Sequence, residues 1–257
     1  MILHTNPRSL AIVKSKVLGV GGHPHFQRIF ICLEACKWGF LEACRPVIGI
    51  DGCHLKGSYG GIMLSVISLE ENLGCFPMAY AIVETENRET WCWFLELLKE
   101  AVGRDLQQNP WCILSDRQKV KVFFFMNVHY IYGVIYATND LTFMLCFMCK
   151  GLVNAIQEVL PRCSHRNCCH HILQNFQKKF RQTGLGDLFW EAAKAPNVQE
   201  FLTAMNKIRL ENRAAFDWLT MLDSRSWAFH AMEVNVKCEH VTSNFVESFN
   251  AWIDEER

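Results

Sequence analysis

Two short apolar runs each deliver an aspartate. Pro46-Val-Ile-Gly-Ile ends on Asp51, and Trp111-Cys-Ile-Leu-Ser ends on Asp116. Both runs read as strands, and the ends of strands are where α/β sheets place acidic side chains that do chemistry. A third group is His165-x-x-Cys168-x-x-His171. At helical spacing one face carries all three side chains. That set suits a soft cation such as Zn²⁺, with Cys163, Cys169, His170, Cys238 or His240 as the fourth ligand. A buried packing element without metal accounts for the same spacing. No Ser/His/Asp or Cys/His spacing stands out for nucleophilic catalysis. Gly57, Gly60 and Gly61 read as a turn between strands rather than as a phosphate-cradling loop, which argues against nucleotide hydrolysis.

The elements around these residues suggest how they are positioned. Residues 26–44 carry apolar groups at helical spacing, with Gly39 as a stop before Arg45-Pro46 breaks the pattern. Ile62–Leu69 and Phe76–Val83 read as two further strands, joined through Glu71-Asn72-Leu73-Gly74 as a hairpin. Residues 88–102 form an amphipathic helix with Trp91, Phe94, Leu95 and Leu98 on one face, capped by Thr85 or Asn87. Three consecutive strands, a helix, a fourth strand and further helices predict an α/β core with a mixed sheet. From about residue 151 onward the chain reads as mainly helical. Phe189, Trp190, Phe201, Phe216 and Trp218 are assigned there to a helical core rather than to a base-stacking platform.

Composition narrows the function classes. Lys+Arg and Asp+Glu both number 26, so the net charge is zero. A stand-alone nucleic-acid-binding module usually shows a basic excess, whereas a catalytic core with clustered carboxylates can be neutral. Thirteen cysteines would fit a disulfide scaffold. Their odd number, scattered placement and the lack of a signal peptide instead predict buried, reduced thiols. The apolar stretch 120–150 is too interrupted, by Asn139 and Asp140, for a membrane span.

Five blocks in order resemble the plant-type Mutator-like element (MULE) transposases. They are Pro46–Gly60 around Asp51-Gly-Cys-His54-Leu-Lys56, Phe76–Phe94, Leu114-Ser-Asp116-Arg117-Gln-Lys119, His165–Phe180, and Asn244-Phe-Val-Glu247-Ser-Phe-Asn250. The resemblance implies a ribonuclease-H-like mixed sheet with flanking helices and a helical insertion, about 163–240, before the last acidic residue. Residues 1–45 would form a helical lead-in and 46–257 the DDE core. It also implies a catalytic triad of Asp51, Asp116 and Glu247, with Glu84, Glu239 and Glu255 as competitors for the last place. Two Mg²⁺ or Mn²⁺ ions would be held by these carboxylates, because hard cations take oxygen ligands. His54, Lys56, Arg117 and Lys119 would approach substrate phosphate. In the family a Cys-x-x-His element recurs between the second and third acidic residues. The implied activity is metal-dependent cleavage of DNA phosphodiesters and strand transfer, in the nucleus, by a homo-oligomer acting on transposon ends and target DNA.

The sequence also departs from the family. The second-Asp block runs directly into a Gly-Leu helix in that pattern, but here residues 120–150 intervene before Gly151-Leu152. The segment has no Glu, Arg, Gln, Ser or Pro and holds three of the five Tyr and five of the 18 Phe. That bias matches translation of a T- and A-rich intron, so we read 120–150 as a non-family insertion from a retained intron. Transcripts that mostly include the segment would refute this. Only residues 1–25 precede the helical pattern at 26–44 that leads into these blocks, and the chain ends just after the last. The expectation is therefore a truncated or inactive copy. The alternative function is a domesticated, non-catalytic DNA-associated regulatory protein. An unrelated zinc-binding α/β protein is a third reading, which predicts zinc binding independent of Asp51 and Asp116.

Overall fold

The computed structural model describes residues 2–17, 19, 22–58, 60–72, 74–103, 111–116, 128–131, 134–137, 147–232 and 241–253. A short helix, α1 (Ile2–Thr5), leads into a hairpin of β1 (Leu10–Val17) and β2 (Pro24–Cys32). Helix α2 (Glu34–Ala43) then feeds β3 (Cys44–His54), followed by β4 (Ile62–Glu70) and β5 (Cys75–Val83). Helix α3 (Arg88–Val102) returns the chain to β6 (Cys112–Ser115). A separate antiparallel hairpin, β7 (Val128–Ile131) and β8 (Val134–Ala137), lies within the 120–150 segment, most of which is outside the described residues. Helix α4 (Phe147–Val159) leads to β9 (Ser164–Asn167). Four helices follow, α5 (Cys169–Lys179), α6 (Leu185–Lys194), α7 (Val198–Glu211) and α8 (Arg213–Thr220). Two 3₁₀ turns at Ser224–Ser226 and Phe229–Ala231 come next, and α9 (Asn244–Trp252) is the last described helix.

The main sheet has seven strands in the order β1-β2-β5-β4-β3-β6-β9. β3, β4 and β5 form an antiparallel meander, while β6 runs parallel to β3 and β9 parallel to β6. The β3–β4 turn uses Gly61 at φ +101°, where a Cβ would also meet the Val83 carbonyl oxygen at 3.1 Å. This is a left-handed conformation that glycine adopts without cost.

Alternation along β3 divides the core. Ile48 and Ile50 face one side, where they join Trp91, Phe94, Leu95 and Leu98 of α3 and Ala155 and Ile156 of α4. Val47 faces the other side, with Leu114, Phe245 and Val246. The predicted stripe on α3 is fully buried. Burial of each such side chain contributes about 1.5–3 kcal/mol, so the stripe outweighs the cap in holding the helix. The cap sets where α3 begins: Thr90 N–H donates to Asn87 Oδ1 at 3.0 Å, and Asn87 N–H donates to Thr90 Oγ1 at 3.0 Å. A second core, with Phe176, Phe189 and Trp227 buried and Trp190, Phe201, Phe216 and Trp218 packed against it, fills the helical segment, as expected of that aromatic stripe.

Three expectations need correction. The lead-in is not mainly helical, because Pro24–Cys32 is a strand paired antiparallel to β5. Phe26, Ile29 and Phe30 have helical spacing, but Ile29 and Ile31 are β-branched and Arg28 is buried among strands. Arg28 forms ion pairs with Glu84 and, at 3.0 Å, with Glu89. Gly39 is not a stop either. It lies inside α2, where a Cβ would come within 2.6 Å of the Phe76 ring, so its smallness lets the helix lie on β5. Lastly, the helical insertion starts later than residue 163, since Ser164–Asn167 is a strand of the main sheet.

Candidate active site and metal centre

The α9 face of the sheet gathers the carboxylates. Val47, Gly49 and Asp51 alternate onto one face of β3, and Cys112 and Leu114 face the same way on β6, with Asp116 one residue beyond that strand. Gly49 is where α9 docks. A Cβ there would meet Val246 and would come within 2.7 Å of the Phe245 ring, so only glycine allows this approach. Cys75 Sγ donates to the Phe245 carbonyl at 3.4 Å and ties down the start of the helix. One turn further along α9, the Asn250 side chain nitrogen donates to Asp51 Oδ2 at 2.8 Å.

Burial pushes the Asp51 carboxyl from 3.8 up to about 7. The Gly52 N–H opposes this, and the charges of Asp116, Glu86 and Glu247 add to it. All three proposed triad carboxylates are thus within electrostatic reach of one another. His171, in the first turn of α5, lies between two of them: its Nδ1 is 3.1 Å from Asp116 Oδ1 and 3.7 Å from Glu247 Oε1. Burial alone would depress the His171 pKa, but Cys168, Asp116 and Glu247 outweigh it and raise it.

Cys168 precedes α5 and is fully buried. Its N–H donates to the Ser115 carbonyl at 3.0 Å, and the Ser243 N–H donates to its Sγ at 3.3 Å. Burial favours the thiol, yet hydrogen bonds from His171 and Ser243 prevail and lower its pKa. The ligand atoms of Cys168, His171 and Glu247 lie within 4.8 Å of one another.

The structure treats the other predicted site residues differently. His165 does not share a helical face with Cys168 and His171, because it belongs to β9. It pairs in register with Ile113, and its Nε2 is 2.7 Å from Ser115 Oγ. Burial lowers its pKa from 6.5 to about 4, so it stays neutral. His54 ends β3 on the face opposite Asp51, and Lys56 lies in the turn beyond it; both are exposed. Arg117, Lys119, Cys238, Glu239, His240 and Glu255 are outside the described residues. Glu84 is engaged by Arg28: burial favours its protonated form, but the hydrogen bonds it accepts, Arg28's among them, hold its carboxyl low.

Glu86 is the carboxylate that sequence reasoning missed. Its Oε1 accepts from the Trp91 indole N–H at 3.2 Å, and its carboxylate packs against Gly52 so closely that a Cβ there would meet it at 3.2 Å. The signal was its place just before the Asn87 cap, which directs it back toward the end of β3. Asn250 was also unassigned, although it lies one helical turn beyond Val246 on the docked face of α9.

The site is an end of a mixed sheet where carboxylates, an imidazole and a thiol meet, side chains of the kinds that could hold a metal ion. Residues 47–128 match the family model of the MULE transposase domain, and over that span the chain is similar to that family. No curated protein matches the chain. Among the described residues, no helix is long and apolar enough to cross a membrane.

Proposed function

We propose that this chain is the DDE catalytic core of a transposase of ribonuclease-H-like fold, cleaving DNA phosphodiesters and transferring the freed strand. The observation that carries this reading is the convergence of Asp51, Asp116 and Glu247 from a central strand, its parallel neighbour and a late helix. The order third-second-first-fourth-fifth for β5-β4-β3-β6-β9, with only the second of these five strands running against the other four, supports the fold assignment.

The donor set fits hard divalent cations, because oxygen ligands crowd together there: the charges of Asp116, Glu86 and Glu247 add to burial in raising the Asp51 carboxyl. Bound Mg²⁺ or Mn²⁺ would supply charge neutralisation at the phosphodiester and activation of the attacking oxygen. The chain's own groups do the positioning. Asn250 fixes the rotamer of Asp51 through its 2.8 Å hydrogen bond. The α9–Gly49 contact brings Glu247 to the same end of the sheet. Glu86, held by Trp91, adds a fourth carboxylate beside Asp51. Lys56, past the end of β3, is a phosphate contact in this reading, as are Arg117 and Lys119. DNA is the partner that a transposase domain implies, and a nuclear homo-oligomer is the acting form.

The test is cleavage of supercoiled DNA by purified protein with and without Mg²⁺. Metal-dependent nicking that falls at least about 10²-fold in each of Asp51→Asn, Asp116→Asn and Glu247→Gln supports the reading; removal of one transition-state stabiliser costs that much elsewhere. Nicking that persists in all three variants, or none from the wild type, rejects it.

A further inference from the structure

We propose that Cys168, His171 and Glu247 form a second metal site, selective for a thiophilic cation such as Zn²⁺, which shares Glu247 with the carboxylate centre. The two sites are therefore alternatives: zinc at the thiol site draws Glu247 away from the Mg²⁺ position.

The argument starts from the ligand atoms. Sγ of Cys168, an imidazole nitrogen of His171 and a carboxylate oxygen of Glu247 lie within 4.8 Å of one another. Zinc bonds of about 2.0–2.3 Å in a tetrahedron require ligand atoms roughly 3.3–3.8 Å apart. The group is thus open by at most about 1–1.5 Å, with His171 Nδ1 and Glu247 Oε1 already 3.7 Å apart, and a rotamer change of the outermost member closes what remains. Glu247 is that member, with its side chain 44% exposed, whereas Cys168 is fully buried. Cys168 is also fixed from two sides, by the Ser115 carbonyl and by the Ser243 N–H on its sulfur. Hydrogen bonds to a ligand atom of this kind hold metal sites in shape. Asp116 Oδ1, 3.1 Å from His171 Nδ1, or a water completes four-coordination.

Ligand type sets the selectivity. A sulfur and an imidazole nitrogen favour zinc over magnesium, while Asp51 and Asp116 alone present oxygen. His165, the member expected from its spacing, lies in β9 and falls outside this group. Glu247, which spacing did not select, replaces it. A side chain that bridges a soft and a hard site makes zinc an antagonist of the magnesium-dependent reaction. This consequence rests on the function proposed above; the thiol site itself does not.

The experiment is titration of the chelator-treated full chain with Co²⁺, followed by the thiolate-to-cobalt charge-transfer absorption. The expected result is a band that saturates at one equivalent and is displaced by Zn²⁺. It disappears in Cys168→Ser, persists in His165→Gln, and requires about 10–100-fold more cobalt in Glu247→Gln, a loss like that seen for weakened metal shells. Glu247→Gln changes a partly exposed side chain, so it keeps the test valid if Cys168→Ser fails to fold by circular dichroism. No band in the wild type, an unchanged band in Cys168→Ser, or unchanged cobalt affinity in Glu247→Gln overturns the site. In parallel, one equivalent of Zn²⁺ should lower Mg²⁺-dependent nicking at least tenfold. Undiminished nicking at zinc saturation overturns the sharing of Glu247. Absence of nicking under every condition, with the cobalt band intact, overturns the nuclease reading and leaves the thiol site standing.

Discussion

Replacing Asp51 by Asn should stabilise the metal-free protein, and the gain should grow with pH. Folding carries the Asp51 carboxyl from 3.8 to about 7, through burial and the neighbouring charges of Asp116, Glu86 and Glu247. An acid whose pKa rises on folding binds its proton more tightly in the native state. Its stabilising effect is complete below pH 3.8 and is lost as pH rises through about 7. Each pH unit within that window costs about 1.4 kcal/mol. Between pH 5 and 7 the advantage of Asp51→Asn over wild type should therefore widen by at most about 3 kcal/mol, roughly 6–12 °C in Tm for a chain of this size. The amide can still accept the Asn250 hydrogen bond, so the variant removes charge with little change in shape. Differential scanning calorimetry of both proteins with EDTA at pH 5, 6, 7 and 8 measures the trend. Mg²⁺ should then raise the wild-type Tm at pH 8 and leave that of Asp51→Asn almost unchanged, because a ligand stabilises only the state that binds it. Equal Tm values for the two proteins at pH 8, or a gap that shrinks as pH rises, would refute the reasoning.

Three other substitutions probe separate parts of the site. Gly49→Ala should cost about 1–3 kcal/mol by overpacking against Phe245 and Val246, and it should abolish the Mg²⁺-induced rise in Tm by displacing Glu247 and Asn250; thermal scans with and without metal check both. Asn250→Ala should leave the fold intact by circular dichroism and reduce cleavage about tenfold or more, since a hydrogen bond to a charged group contributes roughly 1.5–3 kcal/mol; single-turnover nicking measures it. His165→Gln should remove an acid sensitivity. The wild-type ring stays neutral to about pH 4 while the unfolded ring protonates near 6.5, so native stability falls as pH drops through that window. Between pH 6.5 and 5 the variant should be spared about 2 kcal/mol of that loss, read from urea midpoints. The Asp51 and His165 effects oppose each other in overlapping windows, so the comparison of each variant with wild type, not the wild-type curve alone, is the informative one.

The strands that bear chemistry were the most legible in the sequence. β3, β4, β5 and β6 are apolar runs bounded by turn chemistry; Asp116 follows from where β6 ends, and Asp51 from the end of its apolar run, although β3 itself continues to His54. Helix α3 was legible for a similar reason, since a four-residue stripe and an Asn cap agree on one element. The β1–β2 hairpin was not. Its second strand carries a helix-like spacing, and the partner that decides the matter, β5, is about fifty residues away. The His/Cys cluster was legible in composition but not in membership. A three-residue period marks a helical face only if the helix exists, and here a strand ends between His165 and Cys168. Glu86 and Asn250 act through contacts with Gly52 and Asp51 that no local pattern encodes.

The convergence of three carboxylates on a metal is the central claim, and crystals grown with Mn²⁺ test it most directly through anomalous diffraction. The account predicts manganese peaks bounded by Asp51 and Asp116, with Glu247 in reach of the same ions. An ordered site in which manganese binds elsewhere, or in which Glu247 turns away from Asp51 and Asp116 with the metal bound, would contradict it.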